Sequence, residues 1–151
     1  MVEIRCLEYA DIPETVELAR KFVEESAFSR FRFSHEKMAA NLAMSVTHPD
    51  RAFCHVVEHD GKLVGALVGY ISEFFFGPDL IASDSGWFIL PEYRGSRSAV
   101  RLLKNFEKWG KANGAKEIAM GISTDVMPEK TGALLQKLGY VPVGGNFKKA
   151  V

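Results

Sequence analysis

At 151 residues, with 47% apolar and 11% aromatic side chains, the chain suits one domain with a real core; divided in two, each part would be marginal. Lys plus Arg and Asp plus Glu both number 19, and a pI near 6.9 leaves no basic excess for gripping nucleic acid or anionic lipid. Cys6 and Cys54 form neither a C-x-x-C pair nor a His/Cys cluster, and no metal site is expected; the N-terminus shows no apolar signal core, and the longest apolar run, residues 63–71, is too short to cross a bilayer, so buried reduced thiols and a cytoplasmic location are expected.

In chain order, residues 2–9 have the β-branched content of a strand. Asp11-Ile12-Pro13-Glu14 then reads as a helix start, with a carboxylate N-cap and Pro in the first turn, leading to a helix that ends near Glu25. Its apolar stripe is Val16, Ala19, Phe22 and Val23. A loop over 26–33 precedes a second helix, capped by Ser34, carrying Met38, Leu42 and Met44, and stopped by His48-Pro49-Asp50. Two apolar runs, 52–58 and 62–71, flank His59-Asp60-Gly61 and predict an antiparallel hairpin. A third strand over 80–90 stops at Pro91 and passes through Glu92-Tyr93-Arg94-Gly95-Ser96-Arg97 into a long helix with Val100, Leu103, Phe106 and Trp109 on one face. Residues 116–122 then read as a strand, 128–138 as a helix ended by Gly139, and 140–148 as a last strand. The order β-α-α-β-β-β-α-β-α-β predicts an α/β fold: a mixed sheet, antiparallel early and parallel late, with helices on both faces.

The chemistry is concentrated where the third long strand meets its helix. A turn of small residues opening a helix presents a row of backbone N–H groups, an arrangement that binds phosphate. Gly95, Ser96, Ser98 and Ala99 leave the turn uncrowded for a diphosphate, and Arg94 and Arg97 can add charge-assisted contacts. The alternative reading is a solvated loop in which Ser98 only caps the helix. The lysine of G-x-x-x-x-G-K-[ST] is missing and the glycine spacing does not fit G-x-G-x-x-G.

The stretch Ile89-Leu90-Pro91-Glu92-Tyr93-Arg94-Gly95-Ser96-Arg97-Ser98-Ala99 resembles the central [Q/R]-x-x-G-x-[G/A] motif of the GNAT superfamily of N-acetyltransferases. Arg94 and Ala99 meet its first and last positions, and Arg97 stands where the family has glycine. Lys137-Leu138-Gly139-Tyr140 is similar to the family's K-L-G-[FY] ending, and the order of elements matches over nearly the whole chain. The segments Pro91 to Arg97 and Gly121-Ile122-Ser123-Thr124 look closest to small phage- or prophage-type members.

The resemblance implies acetyl-CoA as cosubstrate and an amine as acceptor, with the pantetheine arm in a gap beside Phe88, Ile89 and Leu90 and an N–H near Ile89 facing the thioester oxygen. An ammonium of pKa ~10.4 must lose a proton before attacking, which calls for a carboxylate. Asp84, in the polar patch Ser83-Asp84-Ser85-Gly86, is the first candidate, against the reading that it ends the strand or faces solvent at a bulge made by Gly86. Glu73 is the reserve, against a plain loop role. Leu135 occupies the place of the family's usual acid tyrosine, leaving Tyr140 and Ser123 as candidate donors to the thiolate, with Tyr140 as a core aromatic the alternative. Glu25 and Phe31 lie where the family covers the acceptor, against a dimer contact or satellite core for the loop aromatics. Family habit also implies a homodimer. Two other readings stay open: a non-catalytic acyl-CoA-binding or interaction module on the same fold, and a nucleic-acid-associated protein, which the neutral charge disfavours.

Overall fold

The computed structural model describes residues 1–121 and 128–151. Among these, the strands are β1 (Val2–Cys6), β2 (Ala52–His59), β3 (Lys62–Glu73), β4 (Leu80–Ile89) and β5 (Ala115–Ala119). The helices are α1 (Ile12–Glu25), α2 (His35–Thr47), α3 (Ser98–Ala112) and α4 (Pro128–Lys137), with single 3-10 turns at Tyr9–Asp11 and Pro91–Tyr93. The strands lie in sequence order in one mixed sheet, antiparallel from β1 to β4, with β5 parallel to β4.

Local chemistry explains most of these elements. His59 pairs with Lys62 across Asp60 and Gly61, both with positive φ, which is the two-residue turn that Asp-Gly favours between twisted strands. The Ser34 hydroxyl accepts from the Lys37 N–H and caps α2. At the end of α4, Tyr140 N–H donates to Leu135 O and Gly139 N–H to Gln136 O, closing the helix as a Schellman motif.

Helices cover both faces of the sheet. Phe88 of β4 stacks on Phe22 of α1 at 4.8 Å, whereas the neighbouring Trp87 points the other way and donates through Nε1 to Ala99 O of α3 at 3.1 Å. α3 lies close on the sheet: a Cβ on Gly69 would sit 2.4 Å from the Phe106 ring, and one on Gly110 would sit 2.6 Å from Ile118. Phe106, Leu102, Leu103, Leu42 and Leu67 are fully buried at the centre of the core.

Several expectations are corrected. The segment 140–148 forms no strand: Val141 and Val143 are 76% and 97% exposed, Pro142 has no N–H for a ladder, and Gly144-Gly145 brings no side chain to pack. Lys148 Nζ instead donates to Ala27 O at 2.5 Å and lies over the Phe28 ring, holding the tail to the α1–α2 loop. Asp11 begins α1, but its carboxylate does not cap that helix. It takes two bonds from Arg5, at 2.7 and 3.0 Å, and one from the Glu8 N–H, because a guanidinium fork is the stronger partner. Glu14, on the same turn, accepts from the Leu63 N–H of β3. Met44 is 43% exposed on the outer side of α2. Cys54 is buried, but Cys6, the last residue of edge strand β1, is exposed, with Sγ 3.3 Å from His55 Nε2.

Candidate active site

The register of β4 creates the site. Gly69 pairs with Asp84 and Val68 with Gly86, so Ser85 is an extra residue and β4 carries a bulge there. A bulge bends its strand and resets the alternation of side chains. Asp84 and Trp87, three residues apart, consequently share the α3 face, since Gly69 opposite Asp84 lies under Phe106 and Trp87 reaches Ala99. Beyond the bulge β4 leaves β5: the parallel pairing covers only Leu80 to Ser83, and the opposite edge of residues 84–89 is open among the described residues.

That divergence opens a cleft of about 470 Å³. Asp84, Trp87, Phe88 and Ile89 of β4 line one wall, Arg94, Gly95, Ser96, Ala99 and Val100 the turn into α3, and Lys130, Thr131 and Leu134 of α4 the far side. Gly95 has φ +87°, a left-handed conformation that glycine adopts freely, and a Cβ there would meet nothing within 4 Å, so the surface of the turn is open. The first intrahelical bond of α3 runs from Arg101 N–H to Arg97 O. The N–H groups before it lie at the positive end of the helix dipole, and among the described residues only that of Ser98 finds a local acceptor, Ser96 Oγ at 3.3 Å.

The structure sorts the sequence candidates. Of Phe88, Ile89 and Leu90, Leu90 is turned away, its N–H donating to Val64 O of β3. Strand alternation then points the Ile89 N–H and C=O to the open edge, and Arg94 Nε confirms this direction by donating to Ile89 O at 2.8 Å. Arg94 lines the cleft but is committed: its Nη2 also donates to Glu25 at 2.6 Å. Gly95, Ser96 and Ala99 line the cleft. Ser98 is buried beneath the first turn and does not cap it, and Arg97 is exposed outside the lining.

Asp84 is half-buried, and its Oδ1 accepts from the Gly121 N–H at 2.9 Å. Burial raises its pKa above the ordinary carboxylate range, while the Gly121 bond works in the opposite direction. Ser123 lies outside the described residues. Tyr140 packs against the core and does not line the cleft. Its hydroxyl is buried without a hydrogen-bond partner among the described residues; Glu107 is near enough to disfavour its ionisation but lies outside bonding geometry, and burial is the larger cause of its raised pKa. Glu25 borders a separate hollow of about 310 Å³ with Lys21, Leu90 and Glu92, behind the Phe22–Phe88 pair. Phe31, 64% exposed, and Glu73, exposed at the end of β3, are not brought to the cleft. Sequence reasoning missed Trp87, Val100, Lys130 and Thr131 as lining residues. Trp87 had no readable signal because the bulge decides its face, and the α4 residues had none because they face the cleft only through the packing of that helix.

The sheet thus divides beside a helix N-terminus, with a carboxylate at the fork. Residues 16–140 match the model of the acetyltransferase (GNAT) family, and the chain belongs to that family. Among solved structures, an acetyltransferase of Trypanosoma brucei is similar at 19% identity over 100% of both chains, with a TM-score of 0.75. Glucosamine-6-phosphate N-acetyltransferase of Arabidopsis thaliana is similar at 15% identity over 99% of this chain and 98% of that one, TM-score 0.76. The enzyme AAC(6')-Iy, in complex with a bisubstrate analogue of CoA and acetylneamine, is similar at 18% identity over 100% and 98%, TM-score 0.78. No curated protein matches the sequence.

Proposed function

We propose that the protein is an N-acetyltransferase that uses acetyl-CoA to acetylate a primary amine by direct attack in a ternary complex. The observation that carries this reading is the β4 edge beyond the Ser85 bulge, open among the described residues and continuous with the N–H groups at the start of α3. The cleft fits the cosubstrate: apolar walls at Trp87, Phe88 and Leu134 for the pantetheine arm, and amides around Gly95, Ser96 and Ala99 for the diphosphate. Acetyl-CoA supplies the thioester; the amine nitrogen bonds to its carbonyl carbon as the C–S bond breaks and CoA leaves with its sulfur.

The Ile89 N–H on the open edge is the donor for the oxygen that gains charge, a role worth about 10²–10³ in rate for a single preorganised donor. Asp84 takes the ammonium proton, directly or through one water. Its raised pKa makes it a stronger base than an exposed carboxylate. Leu135, at the place of the family's acid tyrosine, is buried, Tyr140 packs outside the lining, and the tyrosine among the described cleft residues, Tyr93, belongs to the turn before α3 and not to α4. A leaving thiol of pKa ~8.5 departs at neutral pH without a dedicated acid.

The lack of that acid favours, as a second reading, a non-catalytic acyl-CoA-binding module. One experiment separates the two. Acetyl-CoA is added to the protein while melting temperature, free thiol release and acceptor mass are followed across a panel of polyamines, aminoglycosides and lysine peptides. A raised melting temperature, with thiol release and a mass gain of one acetyl group, supports the transferase. A shift without turnover supports the binding module, and no shift at saturating acetyl-CoA overturns both.

A further inference from the structure

A diphosphate needs compensating positive charge, and the two arginines of the turn are poorly placed to give it. Arg94 spends its guanidinium on Ile89 O and on Glu25, and Arg97 is exposed outside the cleft. The remaining cation among the described lining residues is Lys130, in the first turn of α4, which lines the same cleft as Gly95, Ser96 and Ala99. Its side chain is exposed, and no described residue forms an ion pair or hydrogen bond with it. Among the described lining residues the acidic one, Asp84, lies where β4 and β5 part and accepts from the Gly121 N–H.

We infer that Lys130 is the cation that binds the phosphates of the acyl donor, clamping them from α4 against the amides at the start of α3. The inference rests on the acetyl-CoA reading above and assigns a binding role to α4. An ammonium on a flexible four-carbon stem suits this position, because it acts as a point charge, needs no fixed fork and gives up no partner among the described residues on binding. A phosphate-free donor has nothing for Lys130 to hold, so the role is specific to the nucleotide half of the molecule.

The test compares wild type, Lys130→Met and Lys130→Arg, with Lys108→Met, an exposed lysine of α3 outside the cleft, as the control for net charge. CoA affinity is measured by calorimetry at low and high salt, and acetyl transfer is measured with acetyl-CoA and with S-acetylpantetheine, which lacks the phosphates. The expected result is a roughly tenfold weaker Kd for CoA and a shallower salt dependence in Lys130→Met, which corresponds to about 1.4 kcal/mol. Lys130→Arg should recover most of the affinity, Lys108→Met should match wild type, and transfer from S-acetylpantetheine should be the same in all four. CoA affinity unchanged in Lys130→Met overturns the inference and leaves the acetyltransferase reading intact. Equal losses with both donors also overturn it, since they would mark a packing role for Lys130. Wild-type protein that does not bind CoA overturns the underlying reading as well.

Discussion

Keeping a half-buried carboxylate ionised costs free energy, and Asp84 is in that position, its pKa raised mainly by burial. Because the folded state favours the neutral form, the contribution of Asp84 to stability is present at low pH and is lost as pH rises through its folded-state pKa. Asp84→Asn should therefore be as stable as wild type at pH 8, or more so, with an amide oxygen still able to accept from Gly121. Acetyl transfer should fall by about 10²-fold or more, and the acidic limb of the kcat/KM profile should disappear. A thermal melt at pH 8 and a pH–rate profile check both outcomes; a fall in rate matched by a fall in melting temperature would make Asp84 a structural residue. The polar run Ser83-Asp84-Ser85-Gly86 flagged this place in the sequence, but whether Asp84 faced solvent or the cleft depended on which residue was the extra one.

The seating of α3 decides where its N-terminus points, and two glycines test it. At Gly69 a methyl group would meet the Phe106 ring at 2.4 Å and Ser83 O at 2.8 Å. Gly69→Ala should then cost about 1–3 kcal/mol by overpacking. Adding Phe106→Leu should recover only part of that, since the Ser83 carbonyl remains; denaturant midpoints of the single and double variants measure the coupling. Gly95→Ala meets no neighbour but forces a side chain into left-handed backbone, a strain of about 1–2 kcal/mol. Its stability loss should be accompanied by weaker CoA binding, because relaxing the strain re-aims the amides of the turn. Titration of CoA into the folded variant checks this. Periodicity made α1, α2, α3 and α4 readable within a few residues, and Asp60-Gly61 made the β2–β3 hairpin readable, because these signals are local. The expected strand over 140–148 failed for the opposite reason: strand formation depends on a neighbour's free edge, and Pro142 with Gly144-Gly145 weakens the segment as a partner.

At the scale of the whole molecule, Arg5 joins β1 to the turn before α1 and to β2 through Asp11 and Glu58, at 2.7 and 3.0 Å, with Asp11 13% exposed. The Arg5 hydrogen bond is the largest cause of the lowered Asp11 pKa. A carboxylate with a depressed folded-state pKa adds stability above its unfolded value, lost as pH falls through the folded one, so this contribution should fade below about pH 4. Asp11→Asn should lower stability at pH 7 and flatten its decline in acid, read from urea midpoints between pH 7 and pH 2. The exposed pairs Met1–Asp60 and Lys116–Asp79 should add little, because water and salt screen them. The sequence by itself determined the class of fold, the strand–turn–helix at residues 89–99 and the polar patch at Asp84, because each is written in neighbouring residues. Only the tertiary structure decided that Arg94 is occupied by Glu25 and Ile89, that the Leu90 N–H faces β3, that Tyr140 packs against the core outside the cleft and that Lys130 shares a cleft with Gly95. Apart from the Arg94–Ile89 bond, which spans five residues, those are contacts between residues far apart in the chain, set by one bulge and by helix packing, and no local pattern encodes them.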